Sequence, residues 1–335
     1  MRPASGWRML GLAVTLAAWV SGCGRTPQGG TPAPSPAPAK HAGQQPSPAR
    51  VSPTTGLPLH HAQTEFFAAT VENAPEARPQ TGLVDADIVY EMEAEGTITR
   101  YLALFHDHIP PLVGPMRSAR PYFVETAADW GAPFIHFGGS PQAYRMLRSY
   151  PYPHLDGIYD GQYFSRDPSR VAPHNAYLHT DRLPAFREQV KNGHFRFGRP
   201  DLTGGMPART IDITYNAFTR VHYAYDPSRG QYLRWQDGAP HVDRATGHQI
   251  AVTNVIVQYA RMAPIPNDPK ERIQIDLLHG GTAVYCSAGK TVRGTWKRTE
   301  RGVIEYLDAH GRLMVLRPGN TWIEVVDHSV AVSVR

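Results

Sequence analysis

The chain has 335 residues and a modest basic excess, with 34 lysines and arginines against 29 aspartates and glutamates. The sequence does not contain the dense clusters of Lys and Arg that are typical of nucleic-acid-binding proteins, so we expect no nucleic-acid partner. The sequence also contains no Walker loop, dinucleotide fingerprint or Cys-x-x-Cys pair, and we expect neither a cofactor nor a bound metal ion.

The first 23 residues have the order of a bacterial lipoprotein signal peptide. Arg2 and Arg8 form a basic region before an apolar run over residues 9–20. The run leads into Val20-Ser21-Gly22-Cys23, and this tetrapeptide resembles a lipobox. We therefore predict that Cys23 carries acyl chains such as palmitate. These chains would hold the protein at the outer face of the bacterial cytoplasmic membrane. A plain secretory signal with an incidental cysteine is the alternative.

Residues 24–55 are rich in Pro, Ala, Gly, Ser, Gln and Thr and contain almost no large apolar side chains. Such a composition cannot bury enough surface to fold, so we predict a disordered tether. About 30 residues of flexible chain span roughly 30 Å. The tether would lift the folded part of the protein away from the membrane.

The next segment reads as an antiparallel hairpin. Apolar and polar residues alternate over 85–95, so the pattern predicts a strand with Glu91 and Glu95 on one acidic face. Gly96 marks a turn, and residues 100–106 form a second apolar strand. Arg100 begins this strand close to Glu95, so the two side chains have the opportunity to pair across the hairpin.

Helices and a buried strand follow the hairpin. Aromatic and apolar residues after Pro121 have helical spacing, and the run 132–137 is a short buried strand. Ser140 is a favourable N-cap residue, and Pro141 is a favourable first helical residue. We therefore predict a mixed α/β N-terminal domain over residues 56–204.

From about residue 209 the sequence consists of short β-rich runs separated by Gly, Pro or Asp turns. This texture predicts an all-β C-terminal domain over residues 205–335, with the boundary in the Gly/Pro-containing segment "RPDLTGGMP". The overall class is therefore α+β, in which a mixed α/β domain precedes an all-β domain.

Several long motifs resemble the YerB-like family of bacterial lipoproteins. In the first half they are "ENAPEARPQTGLVDADIVYEMEAEGTITRYLALF", "VGPMRSARPYF", "HFGGSPQAYRML" and "APHNAY"; in the second half they are "NVIVQY", "GKTVRGTWKR" and "RPGNTWIEVV". The resemblance covers almost the whole exported region. It implies a membrane-anchored envelope protein with two domains, both of unknown function, and it implies no activity.

The charged residues near the two predicted helix starts suggest an anion pocket. Free N–H groups at a helix start bind phosphate or carboxylate, and glycines allow a close approach. Arginine adds donors of fixed geometry. The candidate residues are Arg117, Ser118 and Arg120 at one start and Gly138, Gly139 and Ser140 at the other. The alternative is that these arginines pair with acidic residues of the hairpin in a structural network.

A second group of polar residues has the chemistry for proton transfer. It comprises Glu91, Glu95, His136, His174 and Asn175. No fixed catalytic spacing links them, so a set of structural hydrogen bonds is the favoured interpretation. The triplet 106–108, His-Asp-His, offers metal-ligand types but is more typical of a solvated strand end.

The leading hypothesis is a surface lipoprotein that binds an anionic envelope ligand or a partner protein. One alternative is an envelope enzyme acting on a phosphorylated or glycosidic substrate, since the order of elements is similar to that of LytR-CpsA-Psr phosphotransferases, although no motif aligns. The other alternative is a protein-interaction adaptor that uses the β-rich domain. We leave enzymatic activity open and favour binding.

Overall fold

The computed structural model of the chain describes residues 51–59, 65–150, 152–186 and 190–335. These ranges belong to one compact unit that spans residues 47–335. The predicted signal peptide, Cys23 and the tether as far as residue 50 lie outside the described residues. No helix in the described ranges is both long and apolar enough to cross a bilayer.

The described chain is mainly β, with α-helices only at α1 (Pro121–Trp130) and α2 (Pro141–Ser149). Both helices lie where the sequence places them, but strands dominate the first half more than the predicted mixed α/β domain implies. The strands before residue 200 are β1 (Phe67–Glu72), β2 (Ile88–Glu93), β3 (Thr99–Phe105), β4 (Leu112–Val113), β5 (Phe134–His136), β6 (His154–Asp156), β7 (Phe164–Arg166), β8 (Ala176–His179) and β9 (Arg196–Phe197).

The second half of the described chain contains strands and no α-helix, as its β-rich texture indicates. Its strands are β10 (Met206–Pro207), β11 (Thr210–Thr214), β12 (Arg220–Asp226), β13 (Gln231–Gln236), β14 (Ala239–Pro240), β15 (Ala251–Val252), β16 (Asn254–Tyr259), β17 (Met262–Pro264), β18 (Ile273–Ile275), β19 (Gly281–Ser287), β20 (Lys290–Arg298), β21 (Ile304–Leu307), β22 (Val315–Leu316), β23 (Thr321–Val326) and β24 (Ala331–Val334).

An eleven-stranded sheet runs through both halves of the chain. Its order is β10-β20-β19-β16-β23-β2-β3-β1-β5-β6, and β21 pairs with β20. The predicted hairpin forms as β2 and β3, which pair antiparallel. On its other edge β2 pairs in parallel with β23 from near the C-terminus. The two segments that the sequence divides at residue 204 therefore share one hydrogen-bonded sheet.

A smaller sheet packs against one face of the large sheet, and the helices pack against the other. The smaller sheet has the order β14-β13-β12-β11-β24, with β15 paired to β13. Alternate residues of a strand point to opposite faces. Ile88 and Tyr90 accordingly join the core cluster that contains helix residue Phe123, whereas Val89 joins the cluster that contains Tyr223 of the smaller sheet. The result is three layers: helices, large sheet and small sheet.

Local signals in the sequence set the ends of the two helices. Pro121 is the first residue of α1, and Gly131 ends it in the left-handed conformation with φ of 71°. Ser140 caps α2, because its hydroxyl accepts a hydrogen bond from the backbone N–H of Ala143. Arg120 occupies the N-cap position of α1 without capping it through its side chain.

The folded region begins earlier than the sequence indicates. The predicted tether extends to residue 55, yet Ser52, Thr54 and Thr55 are buried. The Thr54 hydroxyl donates to Asp87 at 2.7 Å, and the Thr55 hydroxyl donates to Asp107. The small polar residues of this segment give no sign of the docking, because their hydrogen-bond partners lie more than 30 residues away in the chain.

Candidate functional site

Glu91 belongs to a charge network that is buried between the two sheets. Its carboxylate accepts hydrogen bonds from Arg234 of β13, from Thr99 at 2.5 Å and from Asn73 at 3.1 Å. The side chains of Glu91 and Arg234 are both fully buried. The Glu91 side chain is therefore surrounded by protein atoms and is not accessible to a ligand from solution.

A second carboxylate completes this network from the C-terminal segment. Glu324 of β23 accepts hydrogen bonds from the hydroxyls of Tyr215, at 2.7 Å, and Tyr223. The Arg234 guanidinium lies 4.5 Å above the Trp322 ring, between the two glutamates. One cation thus faces two acids in a dry layer. Burial, together with the nearby Glu324 carboxylate, raises the pKa of Glu91, so Glu91 retains its proton to a higher pH than an exposed glutamate does.

The predicted pairing of Glu95 with Arg100 is present at the start of α1, where Arg120 joins it. Arg100 donates to Glu95 at 2.8 Å, and Arg120 donates through both Nε, at 3.0 Å, and Nη2. Burial alone would raise the pKa of Glu95, but the two guanidinium groups outweigh it and lower the pKa to about 2. The anion beside the helix start is therefore a glutamate of the same chain.

The predicted acidic face does not extend along the whole hairpin. Strand β2 ends at Glu93, so the two-residue alternation stops before Glu95. Glu91 points towards the small sheet, whereas Glu95 turns back to Arg100 and Arg120. The expectation that Glu91 and Glu95 share a face is therefore wrong, because the chain leaves the pleated conformation between them.

Arg117 and His174 meet at a carboxylate that the sequence reasoning missed. The Arg117 Nε atom lies 2.9 Å from one oxygen of Glu72, and the His174 Nδ1 atom lies 3.1 Å from the other. Glu72 is fully buried, while the side chains of Arg117 and His174 remain 24% and 21% exposed. The corner made by these three residues is thus open to solvent on its cationic side.

Asn175 organises the loop that carries His174. Its side-chain oxygen accepts a hydrogen bond from Arg166 at 2.7 Å, and its amide donates to the backbone oxygens of Asp167 and Arg170. The Arg166 guanidinium also lies 5.0 Å from the Phe137 ring centroid. Asn175 therefore braces the loop, which agrees with the structural interpretation of the pair.

The turn at residues 138–140 is held by polar contacts within the fold. His136 is buried and contacts the Gly138 carbonyl at 2.8 Å and His154 at 3.1 Å. Burial lowers the pKa of His136 to about 4, so the imidazole is neutral at physiological pH. The Gly138 N–H donates to Asp156 at 2.7 Å, and Gly139 forms a bridge with Ala119.

The candidate residues from the sequence therefore separate into four groups. Glu91 lies between the sheets, and Glu95, Arg100 and Arg120 lie at the start of α1. Arg117, His174 and Asn175 lie around Glu72. His136, Gly138, Gly139 and Ser140 form the turn. Ser118 lies between this turn and the start of α1, since its carbonyl accepts a hydrogen bond from Arg100 at 2.7 Å and its hydroxyl oxygen would lie 3.5 Å from a Cβ atom on Gly138. Arg117 and Arg120 contact different carboxylates, although only two residues lie between them.

Three ligand-type side chains come close together where the N-terminal segment docks. One atom each from Asp87, His106 and Asp107 lies within 4.8 Å of the others, which is compatible with a small cation. Burial, and then the Asp107 carboxylate, raises the pKa of Asp87 to about 7. Hydroxyl groups of Thr54 and Thr55 already bind these carboxylates, so the protein satisfies them with its own donors.

Three cations lie elsewhere, around a cavity of about 910 Å³ that we call the cationic cavity. Arg199, Lys290 and Arg317 line it. Arg317 donates to the Gly230 carbonyl at 2.9 Å. Within the described ranges, none of the three cations forms a salt bridge.

The lining of the cationic cavity contains one carboxylate and several apolar groups. Asp201 accepts a hydrogen bond from the Thr203 N–H at 3.0 Å, and this bond holds the pKa of Asp201 below its usual range. Pro200, Leu202 and Pro318 supply apolar surface. The cavity therefore offers three cations, one acid engaged in its own turn, and apolar walls.

No local sequence motif predicts this cavity. Arg199 belongs to the segment that we interpreted only as a domain boundary, and Arg317 lies more than 100 residues later in an Arg-Pro-Gly turn. Lys290 opens β20 after the turn at Ala288. The one available signal is that each of these cations adjoins a Gly- or Pro-containing turn, which is typical of surface loops that carry function.

Comparison with known proteins identifies relatives over most of the chain. Residues 54–195 match the N-terminal domain of a family described as a protein of unknown function (DUF3048), and residues 211–323 match its C-terminal domain. YerB of Bacillus subtilis (strain 168), named as a candidate lipoprotein, is 34% identical over 295 residues, which is 84% of this chain and 88% of YerB.

A solved structure extends the comparison to three dimensions. The crystal structure of YerB from Bacillus subtilis superposes with a TM-score of 0.76 at 33% sequence identity, covering 85% of this chain and 99% of that one. The resemblance seen in the sequence motifs is therefore confirmed in both halves of the chain and in the fold. The chain, which matches both the N- and the C-terminal DUF3048 domains, belongs to the YerB-like family.

Proposed function

We propose that this protein is a lipid-anchored envelope lipoprotein that binds an anionic, phosphate-bearing ligand in the cationic cavity. The observation that carries the proposal is the presence of Arg199, Lys290 and Arg317 around one cavity without a salt-bridge partner in the described part of the chain. Like charges gathered at one place repel each other, and a bound anion relieves that repulsion. Arginine and lysine are also the usual protein ligands of phosphate.

The size and walls of the cavity fit a ligand with both a charged and an apolar part. Its volume of about 910 Å³ lies within the range of small-molecule sites. Pro200, Leu202 and Pro318 provide apolar contact beside the three cations. These apolar groups offer contact surface to the part of a ligand that adjoins its phosphate.

Calorimetric titration with inorganic phosphate and with glycerol 1-phosphate tests this function. The double variant Arg199→Ala/Lys290→Ala should weaken binding at least tenfold, because two of the three phosphate contacts are removed. The matched control is Lys270→Ala/Arg301→Ala, which removes the same charge from exposed positions outside the cavity. Absence of binding by the wild type, or an equal loss in both double variants, would contradict the proposal.

The corner formed by Glu72, Arg117 and His174 is the second candidate location for an anion. Its cationic groups are partly exposed, but each already contacts the buried Glu72 carboxylate. A ligand there has to compete with an anion that cannot leave. If Arg117→Ala rather than Arg199→Ala/Lys290→Ala abolishes phosphate binding in the same titration, the ligand occupies this corner instead of the cavity.

The anchor itself is open to direct measurement. The basic and apolar order before Cys23 predicts cleavage in front of this cysteine and its acylation. Mass spectrometry of the mature N-terminal peptide should show Cys23 as the first residue with attached acyl chains. A mature chain that begins elsewhere, or an unmodified cysteine, would contradict lipid anchoring at this residue.

A further inference from the structure

The N-terminal segment joins the folded body beside the cationic cavity. The Thr55 carbonyl accepts a hydrogen bond from the Gly319 N–H at 2.8 Å. Gly56 has φ of 67° and packs so closely on Phe197 that a Cβ atom would lie 2.3 Å from the Phe197 side chain. Phe197 and Gly319 are the chain neighbours of Gly198 and Pro318, which line the cavity.

This junction is fixed in place. Ser52 and Thr54 are buried, and the Thr54 hydroxyl donates to the buried Asp87 at 2.7 Å. The Ser52 N–H donates to the Leu57 carbonyl at 2.8 Å, which closes a tight loop over residues 52–57. The position at which the anchored segment meets the body is therefore constant relative to the cavity.

The surface at the junction also carries exposed apolar side chains. Val51 is 61% exposed and Leu57 is 40% exposed. A second cavity of about 450 Å³ lies between this segment and Arg317, which it shares with the cationic cavity, and its lining also includes Asp85, Asp87 and Asp107. The exposed apolar side chains, and not the charge of this second cavity, are therefore the groups suited to contact a membrane surface.

The length of the preceding chain limits how far this surface can move from the lipid. Residues 24–50, whose composition predicts a disordered tether, separate Cys23 from the first described residue, and a disordered chain of this length is expected to span about 30 Å. A short tether raises the effective concentration of membrane groups at the part of the body to which it is joined. That part is the side with the cationic cavity.

We propose that the phosphate recognised by the cationic cavity is carried by a lipid of the membrane to which the protein is anchored. This inference rests on the proposed function of the cavity and adds the source of its ligand. The phosphate enters from the bilayer side, Arg199, Lys290 and Arg317 bind it, and the apolar walls contact the adjoining part of the lipid. A soluble phosphate compound binds the same cations but lacks the advantage of the tether.

Competition within one membrane tests the source of the phosphate. The full-length acylated protein is purified in a nonionic, phosphate-free detergent, where its affinity for glycerol 1-phosphate is measured. It is then reconstituted into vesicles of the neutral, phosphate-free lipid diglucosyldiacylglycerol with either phosphatidylglycerol or cholesteryl hemisuccinate at equal surface charge. Hemisuccinate supplies the same negative potential as phosphatidylglycerol without its phosphate, so it controls for repulsion of the soluble probe.

The expected result is at least tenfold weaker binding of glycerol 1-phosphate in phosphatidylglycerol vesicles than in hemisuccinate vesicles. The variant Lys270→Ala/Arg301→Ala should show the same difference. Equal affinities in the two vesicles, with binding retained in detergent, would overturn the membrane source and leave the anion-binding function intact. Absence of binding in detergent would overturn the proposed function and this inference with it.

Discussion

The charged residues between the two sheets are buried and paired with counter-ions, whereas the cations around the cationic cavity have no salt-bridge partner in the described part of the chain. Arg234 is fully buried and contacts Glu91, with Glu324 nearby, so the fold supplies its counter-ions. Arg199 and Lys290 are exposed and form no salt bridge in the described part of the chain. An arginine that the chain neutralises itself stabilises the fold, whereas a cation left without a partner is free to meet a ligand. The predictions below test this distinction.

Arg234→Ala should produce the largest loss of stability. It leaves Glu91 and Glu324 buried without a cation, and breaking a buried ion pair from one side costs about 3–5 kcal/mol. Chemical denaturation measures the free energy of unfolding, and Arg301→Ala serves as the exposed control. A loss below about 1 kcal/mol would show that the network rearranges easily.

Arg120→Ala should have a smaller but clear effect. The side chain is 5% exposed and donates twice to Glu95, which keeps a second partner in Arg100. We expect a loss of about 2 kcal/mol, since hydrogen bonds to charged groups contribute at this level. Arg148→Ala on the exposed face of α2 is the matched control. If Arg120→Ala leaves stability unchanged and weakens phosphate binding, the start of α1 is a ligand site.

Glu91→Gln should change the pH dependence of stability. The raised pKa of Glu91 means that the native state retains a proton that the unfolded state loses above its own pKa. Stability therefore falls as pH rises through this window, by at most about 1.4 kcal/mol per pH unit for one group. Replacement by Gln should flatten the slope of unfolding free energy between pH 5 and pH 7.

Glu95→Gln supplies the opposite control in the same measurement. The pKa of Glu95 is lowered to about 2, so its contribution is complete above the unfolded pKa and is lost only as pH falls towards 2. This variant should be less stable at pH 5 and at pH 7 by the same amount. A change of slope in Glu95→Gln, or none in Glu91→Gln, would contradict the assignment of the retained proton.

The smallest effect on stability is expected at the cationic cavity. Arg199→Ala/Lys290→Ala should change the free energy of unfolding by less than about 0.5 kcal/mol in the absence of ligand, because both side chains are exposed and unpaired. Thermal unfolding without and with phosphate checks this value, and phosphate should stabilise only the wild type. A large loss without ligand would mean that the cavity cations support the fold.

The hairpin and helix boundaries were predictable because their signals are local. The alternation in β2, the proline at the start of α1 and the Ser140 cap all act within a few residues of where they stand. The partners of the charged residues were not predictable in this way. Glu91 meets Arg234, and Arg117 meets Glu72, through pairings between distant strands and loops. A sequence shows which charges exist, and topology decides which of them are neutralised.

The cationic cavity could not be predicted from the sequence for the same reason. Arg199, Lys290 and Arg317 are far apart in the sequence and come together only because β9 pairs with β22 beside the turn that precedes β20. The arginines that stood out in the sequence, Arg117 and Arg120, did so because they flank one short segment. Their closeness in the chain did not bring them to a common site, since each reaches a different carboxylate.

The position of β23 constrains the order in which the molecule can be assembled. This strand, Thr321–Val326, lies between β2 and β16 at the centre of the large sheet. Because a chain is synthesised from its N-terminus, β2 is made more than 220 residues before its neighbour β23. Until then one edge of β2 has unpaired N–H and C=O groups, which are a template for pairing with other chains. Truncation before Thr321 should therefore yield an aggregation-prone chain rather than a separate N-terminal domain, because the native sheet cannot close until Thr321–Val326 is present.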